Sequence, residues 1–201
     1  MAGGTGERFG APKQYERLDE VRRVIDVSRE VAERASDGVV VVVPAADAER
    51  EHGVAGGATR SDSVRAGLAA VPAEATIICV HDAARPLATD DLYAAVIAAI
   101  RAGADGAIPA LPVTDTIKVV DGSEVTATLD RTTLVAVQTP QAFRAAMIRA
   151  AHGQGGSATN DSALVEAMGG QVVVVPGEPT NRKITEADDL EWARRTIGAS
   201  E

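Results

Sequence analysis

The sequence predicts an α/β fold: a mostly parallel sheet between helices, with an inserted β-hairpin arm. Three features point to it. Short β-branched runs alternate with longer helical stretches, which is the rhythm of a layered α/β domain. The runs are continuously apolar, as strands buried on both faces of a parallel sheet are. One turn signal, Asp121-Gly122, sits between two extended pieces and breaks the rhythm.

The expected strands are Gly38–Val43, Thr76–Val80, Gly106–Ala110 and Gln171–Val175. The expected helices lie at about Asp19–Ala35, Ser61–Ala70, Thr89–Ala102, Asp161–Met168 and Glu186–Ile197. Thr185 with Asp188 resembles a capping box ahead of the last helix. The hairpin joins Asp115–Val120 to Glu124–Asp130 and belongs to an arm at about residues 113–135. Such an arm cannot bury both faces alone, so it reaches to a partner chain or folds back on the body. Residues 1–201 read as a single domain, without repeat, low-complexity tract or linker.

Composition narrows the function. Apolar residues are 45% and charged residues 24%, the balance of an ordinary globular protein. Aromatics are only 2%, which disfavours base-stacking on single-stranded nucleic acid. The net charge of −9 repels a phosphate backbone, so nucleic acid is not an expected partner. The apolar runs are too short to span a bilayer, so no membrane is expected either. The lone Cys79 suits a reducing cytoplasm and reads as a buried thiol, not a nucleophile.

Several polar segments carry possible chemistry, and each has a plainer reading. The opening Ala2-Gly3-Gly4-Thr5-Gly6-Glu7-Arg8-Phe9-Gly10-Ala11-Pro12-Lys13 can bring backbone N–H groups close to phosphates, with Arg8 and Lys13 as cations. It is neither a P-loop nor a dinucleotide fingerprint, and a flexible terminus explains its glycines as well. Gly56-Gly57-Ala58-Thr59-Arg60-Ser61-Asp62-Ser63 enters a helix. Its Ser and Asp fit N-caps, while Gly57, Arg60 and Ser63 fit a base or ribose contact. His81-Asp82-Ala83-Ala84-Arg85-Pro86 follows a strand at the carboxyl edge, where α/β sheets place ligands. A surface ion pair of small value is the plainer reading of Asp82 and Arg85. His81 reads as structural. Asp130-Arg131, Thr139-Pro140-Gln141 and Asn181-Arg182-Lys183-Ile184-Thr185 complete the polar set.

Taken together, AGGTGERFG…PKQ, RSDSVRAGL, VHDAARP, PVTDTIK, DRTTL…QTPQAF, TNDSALVE and NRKIT resemble one family in order and over nearly the whole chain. That family is 2-C-methyl-D-erythritol 4-phosphate cytidylyltransferase, of non-mevalonate isoprenoid synthesis. The resemblance implies a Rossmann-like nucleotidyltransferase fold and transfer of a cytidylyl group from CTP to the polyol phosphate, with release of pyrophosphate. Ribitol 5-phosphate is the alternative acceptor, and a non-catalytic nucleotide-binding protein the alternative class.

The resemblance also implies roles. Ala2, Gly3, Gly4 and Gly6 would wrap the CTP phosphates, and Arg8 and Lys13 would stabilise the α-phosphate in transit. Gly57 and Ser63 would read cytosine, with Arg60 supporting their loop. Asp82, Ala83 and Arg85 would face ribose and polyol. Thr116, Arg131 and Thr139 would grip the acceptor phosphate, Arg131 from the partner of a homodimer. Lys183 and Thr185 would close the site. Mg²⁺ would ride on the CTP phosphates, not in a protein cage. Many relatives carry Asp or Glu at position 58, where this chain has Ala, and the family normally has a buried strand ahead of Ala2. The native protein is thus expected to have roughly ten further residues before the glycine loop, within two short strands' length.

Overall fold

The computed structural model describes residues 1–3, 9–155 and 160–198. Helix α1 (Val24–Ala35) starts later than expected. The Asp19 carboxylate accepts from the N–H groups of Val21 and Arg22, which turns the chain before the helix. Strand β1 (Val42–Val43) pairs in parallel with β2 (Val54–Ala55). The rest of the expected Gly38–Val43 run lies outside any ladder. Helix α2 (Arg60–Ala70) is capped by Thr59, whose hydroxyl accepts from the N–H of Asp62 at 3.0 Å. The reciprocal bond from Thr59 N–H to the Asp62 carboxylate completes a capping box.

Next come β3 (Ile77–Val80), α3 (Asp90–Arg101), β4 (Gly106–Pro112), and a hairpin of β5 (Lys118–Asp121) and β6 (Glu124–Thr128). Gly122 takes φ 57° at the hairpin turn, a conformation glycine adopts without a steric penalty. The chain returns through β7 (Val135–Val137) and β8 (Gln141–Arg144), then α4 (Ala145–Gly153), α5 (Asp161–Ala167), β9 (Val172–Pro176) and α6 (Ala187–Gly198). Asp189, not Asp188, holds the start of α6, accepting from the N–H groups of Thr185 and Glu186.

The α/β class holds, and the main sheet is mixed. Its order is β3-β8-β4-β7, with β9 parallel along β4. Strands β7 and β8 oppose β4, and β8 also opposes β3. The physical reason is connection length. The hairpin arm returns the chain without a crossover helix, and a parallel partner needs one. Between β3 and β4, and again at β9, a helix is present and the direction is restored.

Apolar faces of α2, α4 and α5 pack on the sheet through Val64, Leu68, Ile78, Val80, Phe143, Ile148 and Val165. Strands β1 and β3 have no ladder between them among the described residues. A cleft of about 1100 Å³ lies there, with Val39–Val42 on one side and Ile77–Val80 on the other. Met1 and Ala2 bridge its end. Ala2 N–H donates to the Val42 carbonyl, and Ala83 N–H donates to the Met1 carbonyl.

Candidate functional site

The polar site gathers around Met1–Gly3, with Met1 hydrogen-bonded to His81 and Ala83. Gly3 lies beside Ser63, since a Cβ on Gly3 would stand 3.7 Å from Ser63 Oγ. Ser63 Oγ accepts from Gly57 N–H at 3.1 Å, so the first turn of α2 fixes the preceding loop. Gly57 has to be glycine, because an added Cβ would lie 2.3 Å from Asp62 Cβ. The opening tripeptide and the Gly57–Ser63 loop therefore meet. Gly4, Gly6 and Arg8 lie outside the described residues. Lys13 stands in a 3₁₀ turn, Lys13–Tyr15, and is half-buried.

Asp82 follows β3 and accepts from Lys183 Nζ at 2.6 Å. Burial pushes its carboxyl up, but the Lys183 charge and hydrogen bond, Met1's ammonium and Arg60 outweigh it, bringing the pKa to about 2. The pair is joined by backbone as well, since Ile184 N–H donates to the Ala84 carbonyl at 2.7 Å. Thr185 Oγ1 donates to the Lys183 carbonyl. Ala83 is buried, its N–H on Met1 and its carbonyl accepting from Ser28 Oγ.

His81 is structural. Burial, chiefly, pushes its pKa down to about 3, so the ring is neutral. Thr139 Oγ1 accepts from Asp82 N–H and lies 3.1 Å from His81 Nδ1. With Nδ1 accepting from that hydroxyl, Nε2 is the protonated nitrogen and donates to the Arg85 carbonyl at 3.1 Å. Thr139 thus holds the Asp82 loop and is buried. Arg85 donates to the carbonyls of Asn181 and Val137 and braces both segments.

Thr116 and Arg131 are exposed on the arm. Arg131 donates to the Thr114 carbonyl at the arm's base. Val119, Val120, Val125, Leu129 and Val135 on the same arm are exposed apolar residues. Cys79 lines the cleft, and burial pushes its thiol up to about 12, far from a nucleophile's range.

Sequence reasoning assigned no role to four residues that shape the site. Asn181 is fully buried and donates to the carbonyl of Thr139, and its own backbone carbonyl receives Arg85. Gln138 donates to the Glu178 carbonyl and accepts from Glu178 N–H. Asp161 and His152 sit behind Arg60. Among the described residues, no cluster of three or more His, Cys, Asp or Glu side chains is arranged to hold a metal, and no helix is long and apolar enough to cross a membrane.

The pattern of the family described as "IspD: 2-C-methyl-D-erythritol 4-phosphate cytidylyltransferase" matches residues 1–198. A protein of that name from Rubrobacter xylanophilus is 40% identical across 100% of this chain and 94% of its own length. A bifunctional enzyme IspD/IspF from Anaeromyxobacter dehalogenans is 45% identical over 98% of the chain, which spans 56% of that longer relative. Among solved structures, 4-diphosphocytidyl-2C-methyl-D-erythritol synthase from Anaerococcus prevotii matches with a TM-score of 0.84 at 27% identity, over 98% of this chain and 93% of that one. The 2-C-methyl-D-erythritol 4-phosphate cytidylyltransferase of Thermus thermophilus matches with a TM-score of 0.79 at 33% identity, covering 95% and 96%.

Proposed function

The chain belongs to the 2-C-methyl-D-erythritol 4-phosphate cytidylyltransferase family, and on that premise we propose how its residues perform the transfer. The substrates are CTP and 2-C-methyl-D-erythritol 4-phosphate. The products are the CDP-alcohol and pyrophosphate. One observation carries the residue assignment: Gly3 lies against Ser63 of the Gly57–Ser63 loop, while Met1 just before it hydrogen-bonds to His81 and Ala83 on either side of Asp82, the partner of Lys183.

Cytosine lies against the Gly57–Ser63 loop, where the absence of a Cβ at Gly57 lets a flat ring approach the backbone. Ala58 offers no carboxylate, so base reading at this position relies on backbone groups. Ala2, Gly3, Gly4 and Gly6 wrap the triphosphate. Asp82 faces the ribose.

An oxygen of the acceptor phosphate attacks the α-phosphorus of CTP in line. The bond from that phosphorus to the β-phosphate oxygen breaks, and pyrophosphate leaves with the electron pair. Both reactants are anions, so positioning and charge neutralisation lower the barrier. Arg8, Lys13 and Lys183 supply fixed positive charge. Lys183 is held in readiness by Asp82, whose depressed pKa keeps it ionised at neutral pH. No general base is needed, which agrees with a neutral, fully engaged His81.

Mg²⁺ would be held chiefly by the triphosphate, with the Asp82 carboxylate oxygen not given to Lys183 as the protein donor within the site, and it would supply charge neutralisation. The arm makes the homodimer and delivers Arg131 and Thr116 to the partner's acceptor phosphate. Its exposed valines and Leu129 support that reading, since apolar side chains on an arm gain by being covered. The enzyme works in the cytoplasm, where the unpaired Cys79 stays reduced.

The test is release of pyrophosphate from CTP and Mg²⁺ with a panel of acceptors. The methylerythritol phosphate should react fastest. Faster turnover with ribitol 5-phosphate would reassign the acceptor, and no turnover with any polyol phosphate would overturn the enzyme reading.

A further inference from the structure

Arg60 begins α2, directly after the loop that carries Gly57. Its Nη2 donates to Asp161 Oδ2 at 2.7 Å. Asp161 opens α5, is 1% exposed, and takes a second hydrogen bond from the equally buried His152 of α4, with Nε2 at 3.0 Å from Oδ1. Three helices thus converge on one guanidinium. Burial pushes the Asp161 carboxyl up, but the bonds to His152 and Arg60 bring it below its ordinary value, so it is charged.

An anion this deep is expensive, and a single aliphatic side chain would fill the space at less cost. What the anion does is hold one end of Arg60. The other end, Nη1, is buried and has no hydrogen-bond partner among the described residues. A buried unpaired donor costs stability, and it gains a partner when a ligand with acceptor atoms arrives. Arg60 also feels the charges of Asp82 and of the Met1 ammonium, which places it between the Gly57 loop and the Asp82 edge.

We propose that Asp161, backed by His152, is a positioning residue for nucleotide binding: it fixes Arg60 through Nη2 so that Nη1 donates to an acceptor atom of the nucleotide. This rests on the cytidylyltransferase reading only for the identity of the nucleotide. Asp161 touches no reacting atom. It acts through Arg60.

The experiment is calorimetric titration of CTP with Mg²⁺ into the wild-type chain and into Asp161→Asn, Asp161→Ala, Arg60→Ala and the Asp161→Ala/Arg60→Ala double variant. Thermal midpoints are taken alongside. CTP affinity should fall about tenfold in Arg60→Ala and in Asp161→Ala, the scale of one charge-assisted hydrogen bond. It should fall less in Asp161→Asn, which keeps an acceptor for Nη2. The double variant should bind no worse than the weaker single variant, because both changes remove one interaction. KM for the polyol phosphate should stay within twofold throughout.

A purely structural Asp161 would lower the thermal midpoint and leave the CTP affinity of the folded protein unchanged, which would overturn the proposal. Additive losses in the double variant would overturn it as well. If Asp161→Ala does not fold, Asp161→Asn and Arg60→Ala decide between the two roles by the affinity each loses. A wild type that binds CTP but turns over no acceptor would sink the enzyme reading and leave this inference standing.

Discussion

Replacing Lys183 with methionine removes a charge and keeps most of the apolar stem. The structure says what Asp82 should then feel. Its carboxyl is held at about 2 against an ordinary 3.8, a difference of about 1.8 units. At roughly 1.4 kcal/mol per unit, the full shift is worth about 2.5 kcal/mol. Lys183 is 43% exposed and Asp82 19%, so solvent screens part of the pair. A discounted value of about 1–2 kcal/mol at pH 7 is the expected cost of Lys183→Met. The sign follows from the depressed folded pKa. Folding favours the ionised carboxylate, so this stability is fully present above the unfolded pKa of about 4 and is lost as pH falls towards 2. Carboxyl carbon chemical shifts should place the wild-type Asp82 midpoint near 2, and the Lys183→Met midpoint at least one unit higher. Urea denaturation at pH 7 should show the stability loss. A wild-type midpoint near 4, or one that Lys183→Met does not move, would refute the idea that Lys183 holds this carboxylate.

Other expected outcomes concern the loops and the arm. Gly57→Ala places a Cβ against Asp62 and forces the loop to shift, so CTP binding should weaken tenfold or more, for a cost of about 1–3 kcal/mol. Equal affinity in calorimetry would show that the base does not sit there. Asn181→Leu should destabilise the fold by about 1–3 kcal/mol in urea melts, because it strands the buried Thr139 carbonyl. Mixed dimers of Lys13→Ala with Arg131→Ala chains should regain activity that neither homodimer shows. A verified heterodimer that stays inactive would return Arg131 to its own subunit's site.

Much of the molecule was legible in the order of its residues. Gly122 marked the hairpin turn, β-branched runs marked β3, β4 and β9, and glycines marked the loop at Gly57. The missed elements have physical reasons. Strands β7 and β8 carry short apolar signals split by Gln138-Thr139-Pro140, and nothing local tells a strand that it will run against its neighbour. Helix α4 follows β8 without a turn residue to announce it. The structural contacts of Thr139 and Arg85 escaped the sequence because their partners lie far along the chain, 42 residues from Thr139 to Asn181 and 96 from Arg85 to Asn181. Hydrogen bonds of that span are invisible to periodicity. The same distance hid Asp161, which meets Arg60 across 101 residues.

Every role assigned above depends on one step, the attack of the acceptor phosphate itself on the α-phosphorus of CTP. Phosphorus NMR with acceptor whose phosphate carries heavy oxygen follows that step atom by atom. The label should appear in the CDP-alcohol, at the bridging oxygen and on the alcohol-side phosphorus, and the pyrophosphate should be unlabelled. Label in the pyrophosphate, or hydrolysis of CTP without a coupled product, would contradict the step.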